Sequence, residues 1–332
     1  MKKINLAVVG ATGMVGRTFL KVLEEKNLPI ENFYVFASAR SAGSKLTFMD
    51  KEYTVLELTE TSFKEHQVDI ALFSAGGGTS LKFAPIAAES GCIVIDNSSA
   101  WRMDPNVPLV VPEVNPEAIR VHKGIIANPN CSTIQAVVAL KPLYEYYGIK
   151  RIVYTTFQAV SGAGLGGWSD LEEGLKGHAP KKFPHQIANN CLPHIDVFLE
   201  NGYTKEEMKM VEETRKIFDD QSLRITSTTV RVPVFNSHSE SINVELNKPF
   251  EINELKDTLS KSQGIIIQDD VENNVYPLAL NATGHDEVFV GRIRRDESVD
   301  NGVNLWVVAD NIRKGAASNA VQIAEWIIQH MM

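Results

Sequence analysis

The chain has 332 residues, 44% hydrophobic and 22% charged, with a formal net charge of −8. At about 150 residues per domain this means roughly two globular domains with ample core, and it excludes a mostly disordered protein. The acidic balance argues against a nucleic-acid or anionic-membrane binder, and no apolar run approaches the ~20 residues of a membrane span.

The first third of the chain alternates short apolar runs with helix-like segments. Ile4–Val9 is an apolar run ending in Gly10, and residues 14–25 follow with Val15, Phe19, Val22 and Leu23 at helical spacing. Too little apolar sequence follows Met1-Lys2-Lys3 for a signal peptide. Strands are predicted over 33–37, 69–73 and 92–95, with a helix over 81–90. Strand and helix in this rhythm predict a doubly wound parallel sheet covered on both faces. The pattern changes after Cys131. A helix over 134–147 is followed by strand-like stretches at 151–160, 227–234, 241–246, 288–294 and 305–309, with a glycine-rich, then polar and helical segment between 162 and 218. This predicts a mixed-sheet α+β second domain with a helical insertion. The amphipathic segment 315–329 is placed back on the first domain. The expected division is 1–130 plus about 315–332, and 131–314 with the insertion at about 165–218.

Two local signals carry chemistry. Gly10-Ala11-Thr12-Gly13-Met14-Val15-Gly16 leaves a strand and opens a helix, as a Rossmann-type pyrophosphate turn does, although its GxxGxxG spacing differs from the usual GxGxxG. The end of the second strand reads Ala37-Ser38-Ala39-Arg40-Ser41, with no acid to accept ribose hydroxyls. One arginine and two serines suit a 2′-phosphate, so NADP is the expected cofactor; a solvated surface arginine is the plain alternative. The second signal is Asn128-Pro129-Asn130-Cys131-Ser132-Thr133. Asn130 is a natural helix cap, which puts Cys131 in a first turn whose dipole favours thiolate and whose amides suit an oxyanion. Cys92 reads as core and Cys191 lacks an activating context. Three widely spaced cysteines without CxxC argue against a disulfide framework or a metal site, and predict free thiols in a cytoplasmic protein.

Together with Ala159-Val160-Ser161-Gly162-Ala163-Gly164, Glu213-Thr214-Arg215-Lys216, Arg231-Val232-Pro233-Val234 leading to His238, and Asp310-Asn311 before Lys314-Gly315, these motifs resemble the aspartate-semialdehyde dehydrogenases from residue 4 to about 325. The resemblance implies NADPH-dependent conversion of aspartyl phosphate to aspartate semialdehyde, with phosphate released and a thioester on Cys131. It implies His238 as acid/base, Gln158 as the residue positioning the acyl group, and Arg102 and Lys216 as phosphate ligands. It implies Arg231 for the α-carboxylate and Glu213 for the amino group. Glu213 and Lys216, three apart, read equally as a surface ion pair, and Gln158 as a polar strand end. Cofactor positions implied are Gly10, Thr12, Gly13, Met14, Val15, Arg40, Ser41, Gly76, Ser161, Gly162 and Asn311. A homo-oligomer is expected. The competing readings are N-acetyl-γ-glutamyl-phosphate reductase, glyceraldehyde-phosphate dehydrogenase, and a non-catalytic NADP-sensing module; the last leaves Cys131, His238 and both arginines idle.

Overall fold

The computed structural model describes residues 3–332. The chain folds as two compact units, Met1–Pro129 with Ala316–Met332, and Asn130–Gly315.

In the first unit the elements run β1 (Ile4–Val9), α1 (Met14–Lys26), β2 (Ile30–Ala37), β3 (Lys45–Phe48), β4 (Lys51–Thr54), β5 (Leu56–Glu57), α2 (Ser62–Glu65), β6 (Ile70–Phe73), α3 (Gly77–Glu89), β7 (Ile93–Asp96) and β8 (Ile125–Ala127). Six strands form one parallel sheet in the order β5-β2-β1-β6-β7-β8, and β3 and β4 make a separate hairpin. The order reverses direction at β1. In open α/β sheets ligands bind beyond the strand C-termini at such a switch point, and here that place is the Gly10 turn. Ile4, Leu6 and Val8 of β1 share one core with Phe19 and Leu23 of α1. The C-terminal helix Asn319–His330 adds Ala320, Val321, Ile323, Ala324, Ile327 and Ile328 to the same core. Fully burying each of the larger side chains stabilises by roughly 1.5–3 kcal/mol.

The second unit runs α4 (Cys131–Tyr147), β9 (Ile149–Gln158), α5 (Gly164–Leu175), α6 (Lys205–Phe218), β10 (Arg224–Arg231), β11 (His238–Leu246), α7 (Ile252–Ser260), β12 (Ile265–Ile267), α8 (Ala279–Ala282), β13 (Val288–Asp296) and β14 (Gly302–Ala309). Its sheet is mixed, in the order β10-β9-β11-β14-β13-β12. The outer pairs β10/β9 and β13/β12 are parallel, and the inner ladders are antiparallel. Helices α4, α6 and α7 pack on this sheet. Residues alternate accordingly: Tyr154, Thr156, Ile242, Val244, Leu305 and Val307 are buried, while Thr155, Phe157, Ser241, Asn243, Asn304 and Trp306 between them are partly exposed.

Several boundaries differ from the sequence expectation, each for a local reason. The helix expected over 134–147 begins at Cys131, because Asn130 caps it. The strand expected over 227–234 lies at Arg224–Arg231; Pro233 has no N–H to give to a ladder. The helix expected over 81–90 starts earlier, through Gly77 and Gly78. Cys92 sits just before β7, buried, and not within the strand. The segment before the C-terminal helix, Arg313–Ser318, winds as a π-helix. The expected insertion contains α5 and α6, joined by residues 176–204 without helix.

Candidate active site

The glycine turn of the first unit divides its work among three residues. Gly10 has φ +86°, and a Cβ there would lie 2.5 Å from the Ser74 carbonyl oxygen. A Cβ on Gly16 would run into the Gly10 carbonyl and come within 2.5 Å of the Ala11 Cα. Gly13 faces open space apart from Gly10, to whose oxygen it donates at 3.2 Å, and it starts α1 without any side-chain cap. No acid occupies the first turn. Thr12, Met14 and Val15 therefore surround a bare, positive helix end of the kind that accepts a pyrophosphate. Gly76, at φ +84°, caps α3, and nothing lies within 4 Å of where a Cβ would sit. At the end of β2, Arg40 is exposed and Ser41 half-buried. Arg102 is 8% exposed, and its Nε and Nη2 donate to the Asn128 and Asn97 carbonyls, both at 2.9 Å.

The second unit builds a thiol site. Asn130 Oδ1 accepts from the Ser132 N–H at 2.9 Å and the Thr133 N–H at 3.5 Å, so α4 begins with Cys131 at its first helical position. Two carboxylates of α6 hold that cap. Glu213 accepts from the Asn130 backbone N–H at 2.7 Å, and Glu206 accepts from Asn130 Nδ2 at 2.9 Å. Glu213 is thus buried against the cap rather than in a plain surface pair, and Lys216, half-buried, follows three residues along α6. Helix α6 is itself started by a capping box between Thr204 and Glu207.

Strand ends supply the other groups. Gln158 ends β9, Arg231 ends β10 directly opposite it, and His238 opens β11. Gln158 Nε2 donates to Ser132 Oγ at 2.8 Å and to Glu206 Oε1 at 3.3 Å. A carboxylate only accepts, so the amide orientation of Gln158 follows from that contact. The Ala159 peptide ties two further side chains: its N–H donates to His238 Nδ1 at 3.0 Å and its carbonyl accepts from Arg231 Nη1 at 2.6 Å. Arg231 Nε and His238 Nε2 are buried without a protein partner. Both side chains abut Gly162, whose Cβ, if present, would be 2.8 Å from Arg231 Nη1 and 3.3 Å from His238 Nε2. Likewise a Cβ on Gly315 would be 2.7 Å from the Cys131 Cβ. Asn311 Nδ2 donates to Ser161 Oγ at 3.1 Å, and its Oδ1 accepts from the Ser237 N–H at 2.9 Å. Ser237 has φ 70°, so this bond holds a left-handed residue immediately before His238.

Charge in this site is arranged around Arg231. Burial pulls its guanidinium below the ordinary value, while Glu206 and Cys131 attract it and pull the other way. Burial raises Glu206, but Lys209 Nζ at 2.9 Å and the Asn130 amide outweigh it, so this carboxylate titrates below its usual range. Burial drives the Glu240 carboxyl well above its ordinary value, with Gln135 opposing. Of the three free thiols, Cys92 is buried and pushed up by burial and Asp69, Cys191 is exposed, and Cys131 is intermediate.

Glu206 is the residue that sequence reasoning missed. Its bonds reach Gln158, 48 positions away, and Asn130, 76 positions away, and nothing local marks it. Glu206→Gln removes a charge that receives Asn130, Gln158 and Lys209. Each charge-assisted bond is worth about 1.5–3 kcal/mol, so kcat is expected to fall about 10- to 100-fold in steady-state assays. Because the folded pKa is lowered, the stability Glu206 contributes is present above the ordinary glutamate pKa and lost as pH falls through the folded value. The difference in Tm between protein and variant is therefore expected to shrink in acid.

A switch-point glycine turn and a capped, arginine-flanked cysteine define an oxidoreductase that couples a nicotinamide dinucleotide to acyl chemistry on a thiol. Family models agree. Residues 5–122 match the semialdehyde dehydrogenase NAD binding domain and residues 140–314 the semialdehyde dehydrogenase dimerisation domain. The chain is 59% identical to the aspartate-semialdehyde dehydrogenase of Aquifex aeolicus over 98% of each chain. It is similar in structure to aspartate semialdehyde dehydrogenase II from Vibrio cholerae complexed with ASA, with a TM-score of 0.96, 50% identity and full coverage of both chains. The enzyme of Candida albicans solved with NADP gives a TM-score of 0.79 at 27% identity, over 98% of this chain and 99% of that one. The chain belongs to the semialdehyde dehydrogenase family.

Proposed function

We propose that the chain is an aspartate-semialdehyde dehydrogenase, reducing L-aspartyl 4-phosphate to L-aspartate 4-semialdehyde with release of phosphate, in the biosynthesis of lysine, threonine, methionine and isoleucine. The observation that carries this reading is the cap of α4: Asn130 is gripped by two buried carboxylates so that Cys131 starts the helix beside Arg231. The helix end and the guanidinium both favour thiolate, the form that attacks an acyl phosphate. Arg231 is the planar donor for the α-carboxylate, Glu213 the partner of the amino group, and Arg102 and Lys216 the phosphate ligands. Gln158, which donates to the Ser132 hydroxyl next in sequence to Cys131, orients the acyl carbonyl. When bound, the dinucleotide supplies a hydride. The glycine turn, with Thr12, Met14, Val15 and Gly76, would hold it. The test is phosphate- or arsenate-dependent formation of reduced dinucleotide from aspartate semialdehyde; absence of any such signal overturns the assignment.

NADP is favoured over NAD because β2 ends without an acid and with Arg40 exposed; the Candida albicans relative was solved with NADP. Arg40→Asp is expected to raise the KM for NADPH and shift preference toward NADH, since a carboxylate repels the 2′-phosphate and accepts ribose hydroxyls. An unchanged KM would make Arg40 a surface residue only. We assign a homo-oligomer as the working form: Phe157, Ser241 and Trp306 line a hollow on the sheet face opposite the buried one. Among the described residues no helix is long and apolar enough to cross a membrane. The three free thiols fit a cytoplasmic setting.

A further inference from the structure

The segment between α5 and α6 brackets Arg231 twice. At the backbone, the Arg231 N–H donates to the Leu192 carbonyl at 2.8 Å, and the Leu192 N–H donates back at 2.9 Å. At the side chain, the Phe183 ring centroid lies 5.9 Å from the guanidinium carbon. The ring rests on Gly167, where an added Cβ would be 3.1 Å from Cζ, and packs against the cluster of Val160, Leu171 and Ile187. Residues 181–183 form neither helix nor strand, so no ladder holds the backbone that carries this ring. Asp170 of α5 holds it instead. Its Oδ1 accepts from the Lys181 N–H at 2.9 Å, and its Oδ2 from the Lys182 and Phe183 N–H groups at 2.7 and 2.8 Å. Three successive amides converge on one carboxylate, an arrangement in which backbone dipoles grip an anion.

We propose that Asp170 is a positioning residue for the substrate: by gathering these amides it seats the Phe183 ring against Arg231, and so sets the orientation in which the guanidinium meets the α-carboxylate. This rests on the reading of Arg231 given above. Asp170 is buried, at 5% exposure. Burial raises its carboxyl, but the Phe183, Lys181 and Lys182 amides outweigh that, so it titrates below its usual range. The charge that the three amides need is therefore kept.

A ring suits this place better than a second carboxylate would. Its face attracts the guanidinium, yet it accepts none of the in-plane N–H bonds that a substrate carboxylate needs. Arg231 Nη1 is already given to the Ala159 carbonyl at 2.6 Å, while Nε is buried without a protein partner. One carbonyl and one ring face thus fix the plane and leave the Nε edge for a ligand. A planar fork recognises a carboxylate only when its plane is set. Loosening the ring should therefore weaken substrate binding more than the chemistry on Cys131.

Steady-state kinetics of the full-length protein with aspartate semialdehyde, phosphate and oxidised dinucleotide test this. Asp170→Ala is expected to raise the KM for aspartate semialdehyde about tenfold, the low end of what a charge-assisted bond is worth, with kcat within about threefold. Asp170→Asn, whose single oxygen can still accept from the Lys182 and Phe183 amides, should fall between Ala and the unmodified protein. It also carries the test if the alanine variant does not fold. In an Arg231→Lys background the ammonium has no plane to set, so Asp170→Ala should change KM by less than about twofold. A carboxylate that only stabilised the fold would lower Tm and leave KM where it was. Unchanged KM in the Asp170 variants, or an equal rise in the two backgrounds, overturns the proposal while Arg231 keeps its role. If Arg231→Leu also left kcat/KM unchanged, the α-carboxylate reading would fall with it.

Discussion

Replacing Cys131 with alanine is expected to stop turnover, lowering kcat by at least about 10³-fold, because the sulfur that carries the acyl intermediate is removed. The Cβ remains, and the cap of α4 is made by Asn130, Ser132 and Thr133, so the helix start stays intact. Dinucleotide affinity should be unchanged, since Cys131 is not among the residues proposed to hold the dinucleotide. Iodoacetamide gives an independent measure. In the unmodified protein, alkylation mapped by mass spectrometry should appear at Cys131 and at the exposed Cys191, and inactivation should follow Cys131 alone. Buried Cys92 should stay unmodified. Retention of more than a few per cent activity in Cys131→Ala would refute the thioester route.

Arg231→Leu is expected to be nearly as damaging, for a different reason. The guanidinium is 5% exposed, bonds the Ala159 carbonyl at 2.6 Å and faces the Phe183 ring at 5.9 Å. Leucine fills much of that volume but removes the donor proposed for the substrate carboxylate and leaves Glu206 without one of its compensating charges. Truncating one partner of a buried charge pair costs about 2–5 kcal/mol, which is roughly thirty- to a few thousandfold in kcat/KM. Arg231→Lys keeps the charge but loses the fork, so it should recover only part of the activity. A kcat/KM within threefold of the unmodified enzyme would remove Arg231 from the substrate site.

The fold was legible where the chain repeats a simple period. Ile4–Val9, the Gly10 turn and α1 are plain in the sequence because β1 is buried on nearly every residue and α1 on one stripe. The hairpin β3–β4 was not, since in it only Phe48 is fully buried and the rest is polar or partly exposed. Strand β8 is three residues long, too short for any alternation to show. At the site, Cys131 was legible because its cap lies next to it in sequence. The contacts of Glu206 with Asn130 and Gln158, and the double use of the Ala159 peptide, are products of chain crossings 48 to 79 positions long. Backbone groups carry no sequence signature at all.

The C-terminal helix has a consequence for the order of events during synthesis. Its apolar face completes the core of the unit whose strands are made first, yet residues 130–315 are translated in between. At about 5–20 residues per second that interval is roughly 10–40 s. Throughout it, the parallel sheet of the nascent first unit lacks the side chains of Ala320, Ile323, Ala324, Ile327 and Ile328 and presents apolar surface to its surroundings. The intervening unit, which contains its own sheet and helices, is free to fold meanwhile. Of the two units, the one begun first is thus the later to be finished. Chaperone demand on the ribosome should concentrate on the strands of the first unit, which wait for a helix translated only after the whole of the second.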